Sequence, residues 1–438
     1  MSEIKRELYV DRLLSKRWNG KVKIITGIRR CGKSYLLSHL FKDRLLAEGV
    51  CVDHILEIAL DRREHADLRD PNRLYAWVLE HLTDEAPTYL FIDEIQLSYK
   101  VRREGVDESR IAPEDRELAY VSFYDVLNDL MTRPNLDIYV TGSNSKMLSR
   151  DILTEFRGRG DEVRLHPLSF GEYFSAIGGD RTDALNRYMR FGGMPFALSC
   201  PDDAAREAYL KSLFREVYFK DIIERKKVER MDVLGFVTDF LCSGVGSLTN
   251  PTNITNSLRT NYDCGVSKNT VCTYLDYLID AFMFSEAKRY DIKGKSYFDY
   301  PSKYYCEDVG LRNARTDFRQ MEMTHIMENV IYNELKARGY SVDVGVVHSR
   351  ETNRNGNSTR VAREIDFVVN KTSERVYVQS AYALQDEVKK ASELKPFSLT
   401  GDSFRKIIVR NDVGLRWFDE HGILNISIQD FLTDDSVV

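Results

Sequence analysis

Eight consecutive residues, Gly27-Ile28-Arg29-Arg30-Cys31-Gly32-Lys33-Ser34, have the types and spacing needed to hold a polyphosphate. Gly27 and Gly32 let the backbone turn tightly and bring its N–H groups against phosphate oxygens. Lys33 supplies a point charge near the terminal phosphates, and the Ser34 hydroxyl can ligate Mg²⁺. The segment lies between a β-type run, Val22–Thr26, and an amphipathic helix expected from Lys33 to Glu48. That helix would aim its positive N-terminal end at the anion. All eight residues, with Tyr35 next in the chain, are candidate nucleotide-binding positions.

Other segments supply complementary chemistry. Tyr89-Leu90-Phe91-Ile92-Asp93-Glu94 is an apolar strand ending in two carboxylates, placed where open α/β sheets bind ligands. Asp93 is the candidate Mg²⁺ ligand with Ser34, and Glu94 the candidate for polarising an attacking water. A further strand, Asp137–Thr141, runs into Gly142-Ser143-Asn144-Ser145. Asn144, or Ser143 in its place, can reach a γ-phosphate from there; a turn built of small polar residues is the alternative reading. Beyond it, Phe156-Arg157-Gly158-Arg159-Gly160 offers Arg159, with Arg157 beside it, as a charge-stabilising finger, against the plainer reading of solvated arginines.

These side chains need a scaffold, and the chain supplies its pattern. Strand-like runs at Val22–Thr26, Asp53–Ile58, Tyr89–Ile92, Asp137–Thr141 and Glu162–Leu165 alternate with helical stretches, predicting a mostly parallel sheet covered on both faces. The charged segment Ser98–Glu117 reads as an exposed, mobile loop. From Pro167 to about Arg230 the pattern is helical, broken by Gly192-Gly193-Met194-Pro195, which reads either as a hinge near the nucleotide or as a helix cap followed by a breaker. Next come a helical segment, Ile254–Arg259, a helix from Val266 to Leu278, and β-like runs Phe284–Tyr290 and Lys303–Glu307 around Gly294, an order that predicts a winged helix. From Met321 a helix leads into strands at Ser341–Val347, Glu364–Val369, Val376–Gln379 and Lys406–Val409.

With 438 residues and a net charge of −5, the chain has room for several domains and is a poor candidate for coating nucleic acid over its whole surface. Its seven cysteines are scattered without metal-binding spacing, so reduced thiols in the cytoplasm are expected, Cys31 serving as a filler inside the loop. The first residues form no apolar leader, and no run is long enough to span a membrane.

In their order, Gly27–Ser34, Leu90–Gln96, Thr141–Ser145, Arg157-Gly158-Arg159, Pro167-Leu168-Ser169-Phe170 and Gly192–Pro195 resemble the bacterial and archaeal AAA-type ATPases whose C-terminal half is an uncharacterised domain related to PD-(D/E)xK nucleases. The resemblance spans nearly the whole chain. It implies an α/β fold with a P-loop NTPase (AAA-type) core over residues 1–166, a helical lid over 167–230, a winged-helix segment over 231–320 and a restriction-endonuclease-like α/β domain over 321–438. It implies ATP and Mg²⁺ as cofactors, with strand 3 carrying Asp93 and Glu94 and strand 4 carrying Asn144.

The nuclease pattern is incomplete. Asp366 matches its first acid and Glu328 could add a ligand, but Gln379 stands where the second acid belongs and Ala381 where the lysine belongs. A hydrolytic metal centre is therefore not expected. Residues 321–438 carry 15 Lys/Arg against 18 Asp/Glu, a balance of −3, a weak grip on a phosphate backbone. Residues 288–303 are locally basic, with Lys288, Arg289, Lys293, Lys295 and Lys303 interleaved with Tyr290, Tyr297, Phe298 and Tyr300. DNA or RNA is the partner that pattern suggests. A protein partner and a homo-oligomer are the alternatives, and a nucleotide-dependent switch in signalling or defence is the competing function.

Overall fold

The structure, a computed structural model, describes residues 4–82, 85–107, 111–142, 158–262, 265–352, 358–384 and 387–438. The chain divides into two compact units, Ile4–His166 and Pro167–Val438.

In the first unit, strands β1 (Val22–Thr26), β2 (Ile55–Ala59), β3 (Thr88–Asp93), β6 (Leu136–Thr141) and β7 (Gly160–Arg164) form a parallel sheet in the order β2-β3-β6-β1-β7. The short strands β4 (Val101–Arg102) and β5 (Tyr120–Val121) pair separately. Every residue of β1 and β6 is buried, as expected for strands with helices on both faces. On one face Ile58, Leu90, Ile92 and Ile138 pack with Leu74 and Val78 of the helix Pro71–His81 and with Val126 and Leu127 of the helix Phe123–Leu130. Pro71 begins its helix because Asp70 caps it, accepting from the N–H groups of Asn72 and Arg73.

The two described parts of the expected loop at Ser98–Glu117, on either side of residues 108–110, are more ordered than their charge suggests. Val101 and Arg102 pair with Val121 and Tyr120, a helical turn fills Pro113–Ala119, and Arg103 N–H donates to Ala119 O.

The second unit holds an eight-stranded mixed sheet made of β8 (Phe284–Asp291), β9 (Ser296–Cys306), β10 (Ser341–Thr352), β11 (Ser358–Lys371), β12 (Glu374–Ala381), β13 (Arg405–Arg410), β14 (Trp417–Phe418) and β15 (Leu424–Ser427). Its order is β14-β15-β13-β12-β11-β10-β8-β9. This corrects one feature of the winged-helix expectation. Helices Met231–Ser243, Pro251–Tyr262 and Lys268–Asp280 precede the β8–β9 hairpin in the anticipated order, yet the hairpin is no free wing. β8 runs parallel to β10, with Arg289 to Asp291 beside Val344 to Val346, so residues before and after 320 share one sheet. The cause lies in the core. Ile292 is buried among Val347, Ile365, Val368 and Tyr377, and its N–H donates to Val346 O.

The Gly192–Pro195 turn is also explained by packing. Gly192 ends the helix Arg181–Phe191, and a Cβ there would lie 2.2 Å from an oxygen of Asp308, while one on Gly193 would lie 2.1 Å from Leu168 O. Asp308 receives the Gly193 N–H at 2.7 Å and that of Leu311 at 3.0 Å, capping the helix Val309–Arg315. Of the two sequence readings, this is the cap followed by a breaker.

Candidate nucleotide site

The C-terminal ends of β3, β6 and β1 are neighbours in the sheet, which brings three separate sequence segments to one edge. The loop Gly27–Ser34 leaves β1 there. A Cβ on Gly27 would lie 2.1 Å from Leu165 O, so only glycine lets the loop pass that close to β7. Ile28 and Cys31 are buried beneath the loop, the Cys31 thiol facing Leu165 O at 3.5 Å, whereas Arg29 and Arg30 are exposed. Lys33 is buried, and its ammonium donates to Gly27 O at 3.0 Å and Ile28 O at 3.1 Å. Helical structure runs from Lys33 to Ala47, with π-type hydrogen bonding over Leu36–Phe41. Tyr35 is exposed on its first turn, stacked on His39 with ring centroids 4.6 Å apart.

Asp93 is the meeting point. Its Oδ1 accepts from the Ser34 hydroxyl at 3.0 Å and from the Thr141 hydroxyl. Thr141 in turn accepts the Glu94 N–H at 3.0 Å. Glu94 takes a left-handed backbone, φ 54°, and its carboxylate accepts from the Gln96 side-chain amide. Beside this edge a cleft of about 590 Å³ is lined by Ser34, Tyr35, His39, Asp61, His65 and Asp93, among others.

The remaining candidates fall elsewhere. Ser143, Asn144 and Arg157 lie outside the described residues. Arg159 precedes β7, where its carbonyl accepts the N–H of Val22, the first residue of β1. At about 3.3 Å per residue the loop is roughly 15 Å further along the sheet, so Arg159 stands at the opposite edge from the loop of its own chain.

Two residues in contact with this machinery have no role in the sequence reading. Thr141 closes a strand there and begins one of the resembling segments, and in the structure it holds both Asp93 and Glu94. Arg6, buried and at φ 49°, donates to Cys31 O at 3.2 Å and His166 O at 2.9 Å, bracing the loop from below. A hydroxyl at the end of an apolar strand was a usable signal for Thr141. Nothing local marks Arg6, whose partners lie 25 and 160 residues away.

The second unit gathers the incomplete nuclease pattern into a different arrangement. Asp366 on β11 and Glu328 on the helix Met323–Ala337 do come together, joined by Glu364, and all three carboxylates face the ammonium of Lys303 from β9. The distances are 2.8 Å to Glu328, 2.6 Å to Glu364 and 3.4 Å to Asp366. Burial alone would lower the Lys303 pKa, but the charges of Glu328, Asp366 and Glu364 hold it well above the usual lysine value. Burial, with the charge of Asp366, raises the Glu328 pKa against the pull of Lys303, and Tyr305 O–H donates to the same carboxylate at 2.6 Å. Gln379 accepts the Asp366 N–H at 3.2 Å and donates to Glu393 at 2.8 Å.

Comparison with known proteins matches two stretches of the chain. Residues 19–174 match an AAA domain, and residues 182–322 match a domain of unknown function, DUF8612. The chain is 31% identical over 412 residues to an uncharacterized protein of Haemophilus influenzae, covering 93% of each, and 26% identical to one of Methanocaldococcus jannaschii, covering 90% of this chain and 83% of that one. Among solved structures, AMPPCP-bound DnaA from Aquifex aeolicus is similar over 64% of this chain and 89% of its own, at 13% identity and a TM-score of 0.27, too low to argue from. The matched AAA domain contains the loop, Asp93 and Thr141, and the chain belongs to the same family as the uncharacterized Haemophilus influenzae protein.

Proposed function

We propose that this chain is an ATPase that binds ATP with Mg²⁺ at residues 27–35 and hydrolyses it. The observation that carries this reading is the convergence of Ser34 and Thr141 on Asp93 beside a loop whose buried Lys33 rests, among the described residues, on two neutral carbonyls. A phosphate oxygen, being charged, is a stronger acceptor than either carbonyl, so Lys33 would turn to it on binding. Ser34 and Asp93 would hold Mg²⁺, which when bound offsets the charge building on the phosphates. Thr141 fixes Asp93 in position. Glu94 would take a proton from the attacking water once its carboxylate leaves Gln96.

Asn144 is the proposed γ-phosphate sensor. From its place at the far edge of the sheet, Arg159 would serve only the site of a second copy, which is the form of homo-oligomer we propose. The work done by hydrolysis falls on nucleic acid or a partner protein in the cytoplasm; no helix among the described residues is long and apolar enough to cross a membrane. Tyr297 and Tyr300, exposed on the β8–β9 hairpin near Lys288, Lys293 and Lys295, support the nucleic-acid option. The Gln96 hold on Glu94 favours a second reading, a slow nucleotide-dependent switch.

The test is Glu94→Gln in the full-length protein, with nucleotide binding and phosphate release measured together. Retained binding with arrested turnover supports the assignment, whereas turnover at the wild-type rate removes Glu94 from it. Adding DNA or RNA at two salt concentrations separates the readings: salt-sensitive stimulation marks a nucleic-acid-dependent ATPase, and slow turnover unaffected by either marks the switch.

A further inference from the structure

We propose that Glu328, Glu364 and Asp366 form a divalent-cation site whose occupant in this chain is its own Lys303 ammonium. A lysine ammonium has three N–H donors and no acceptor, and here three carboxylates surround it, at 2.8, 2.6 and 3.4 Å. An ion pair needs one carboxylate. Three carboxylates outnumber the one ammonium where Lys303, Glu328 and Asp366 are all buried, and neutral donors meet part of what the ammonium leaves over, the Tyr305 hydroxyl on Glu328 at 2.6 Å and the Ser380 N–H on Asp366 at 2.9 Å. An oxygen-rich ligand set of this kind suits a hard divalent ion.

The present spacing fits the ammonium. A magnesium-sized ion draws oxygens to about 2.1 Å, so these would have to close in by roughly 0.5–1.3 Å. As the side chains stand, no group of three acidic, His or Cys residues among the described residues is placed to hold a metal.

Gln379 supports the same conclusion independently. It stands on β12 beside Asp366, and instead of adding a fourth negative charge it bonds the Asp366 N–H and the Glu393 carboxylate. A singly charged occupant has no use for another acid there. Glu364, 31% exposed, leaves the cluster open to water on one side, so an ion could enter if the ammonium were gone. With Lys303 in place the cluster ties β9 to the helix Met323–Ala337 and to β11, and excludes the metal.

The test measures Mn²⁺ binding to the full-length protein without nucleotide, by the electron paramagnetic resonance of free Mn²⁺. Asp366→Asn separates this cluster from every other site. The expected result is that wild type and Asp366→Asn bind alike, that Lys303→Met gains one saturable site at least tenfold tighter than any Asp366-dependent binding in wild type, and that Lys303→Met with Asp366→Asn loses it. A folded Lys303→Met protein that gains no site overturns the proposal. So does wild-type binding that Asp366→Asn abolishes, because metal and ammonium would then coexist. That second comparison decides even if Lys303→Met does not fold, and Lys303→Gln, which keeps a polar side chain, repeats the gain experiment in that event.

Discussion

Two lysines, one in each unit, are equally buried, 4% exposed, and are used in opposite ways. Lys33 rests on two neutral backbone carbonyls, so its charge is left over for an incoming anion. Lys303 is ringed by three carboxylates, so its charge is already spent and the surroundings stay negative. Burying a lysine does not by itself make a binding site. What matters is whether its partners cancel its charge, and carbonyl dipoles do so far less than carboxylates.

The sharpest way to break this comparison is at Lys33. Lys33→Ala should weaken ATP binding ~100-fold or more, about 3 kcal/mol, in a calorimetric titration of the full-length protein. A loss of only a few-fold would mean the charge was not available as described. Glu94→Gln comes next: turnover should fall roughly 100- to 10,000-fold while affinity changes little.

A third prediction concerns pH, because raised carboxyl pKa values cluster in the second unit. Burial pushes Glu334 up to about 7 from 4.5 against the pull of Arg338, and burial raises Asp308 to about 6 against the backbone N–H groups that bond it. A carboxyl raised on folding contributes its stability fully below its unfolded pKa and loses it as pH rises through the folded value. Between about pH 4.5 and 8, Glu334 alone should thus cost on the order of 2–3 kcal/mol. Urea midpoints for wild type and Glu334→Gln should converge at the acid end and separate at the alkaline end, with the variant the more stable. Parallel curves would show that Glu334 does not titrate in this window.

Smaller effects test the contacts around Asp93. Thr141→Val removes the hydroxyl shared by Asp93 and the Glu94 N–H, for about 1 kcal/mol, read as a several-fold increase in the Mg²⁺ needed for half-maximal turnover. Gln96→Ala removes the amide bond to the Glu94 carboxylate and should raise basal turnover a few-fold; a decrease would make Gln96 part of the catalytic arrangement.

Much of the first unit was legible because its signals are local. The strands at Val22–Thr26 and Asp137–Thr141 were placed within a residue, since a short, largely apolar run is a local signal; that Lys23 and Asp137 pair with each other inside the sheet was not legible. The loop was legible for the same reason, as its glycines, lysine and serine act through contiguous backbone. The hairpin was legible as a hairpin, but its pairing with β10 was not, because Ile292 looks like any turn-flanking residue until the strands 50 or more positions later are in place.

The sequence alone determined a glycine-rich loop carrying Lys33 and Ser34 after a buried strand, two acids after another, and Gln379 and Ala381 at the positions where the nuclease pattern has an acid and a lysine. Only the tertiary structure decided that Thr141 steadies Asp93, that Arg159 sits at the far edge of the sheet, and that Lys303 enters a cluster with Asp366, 63 residues away. The physical reason is range. A motif works through a few neighbouring residues whose geometry one turn fixes, while the charge balance around a buried side chain depends on whichever strands and helices the folded core brings against it.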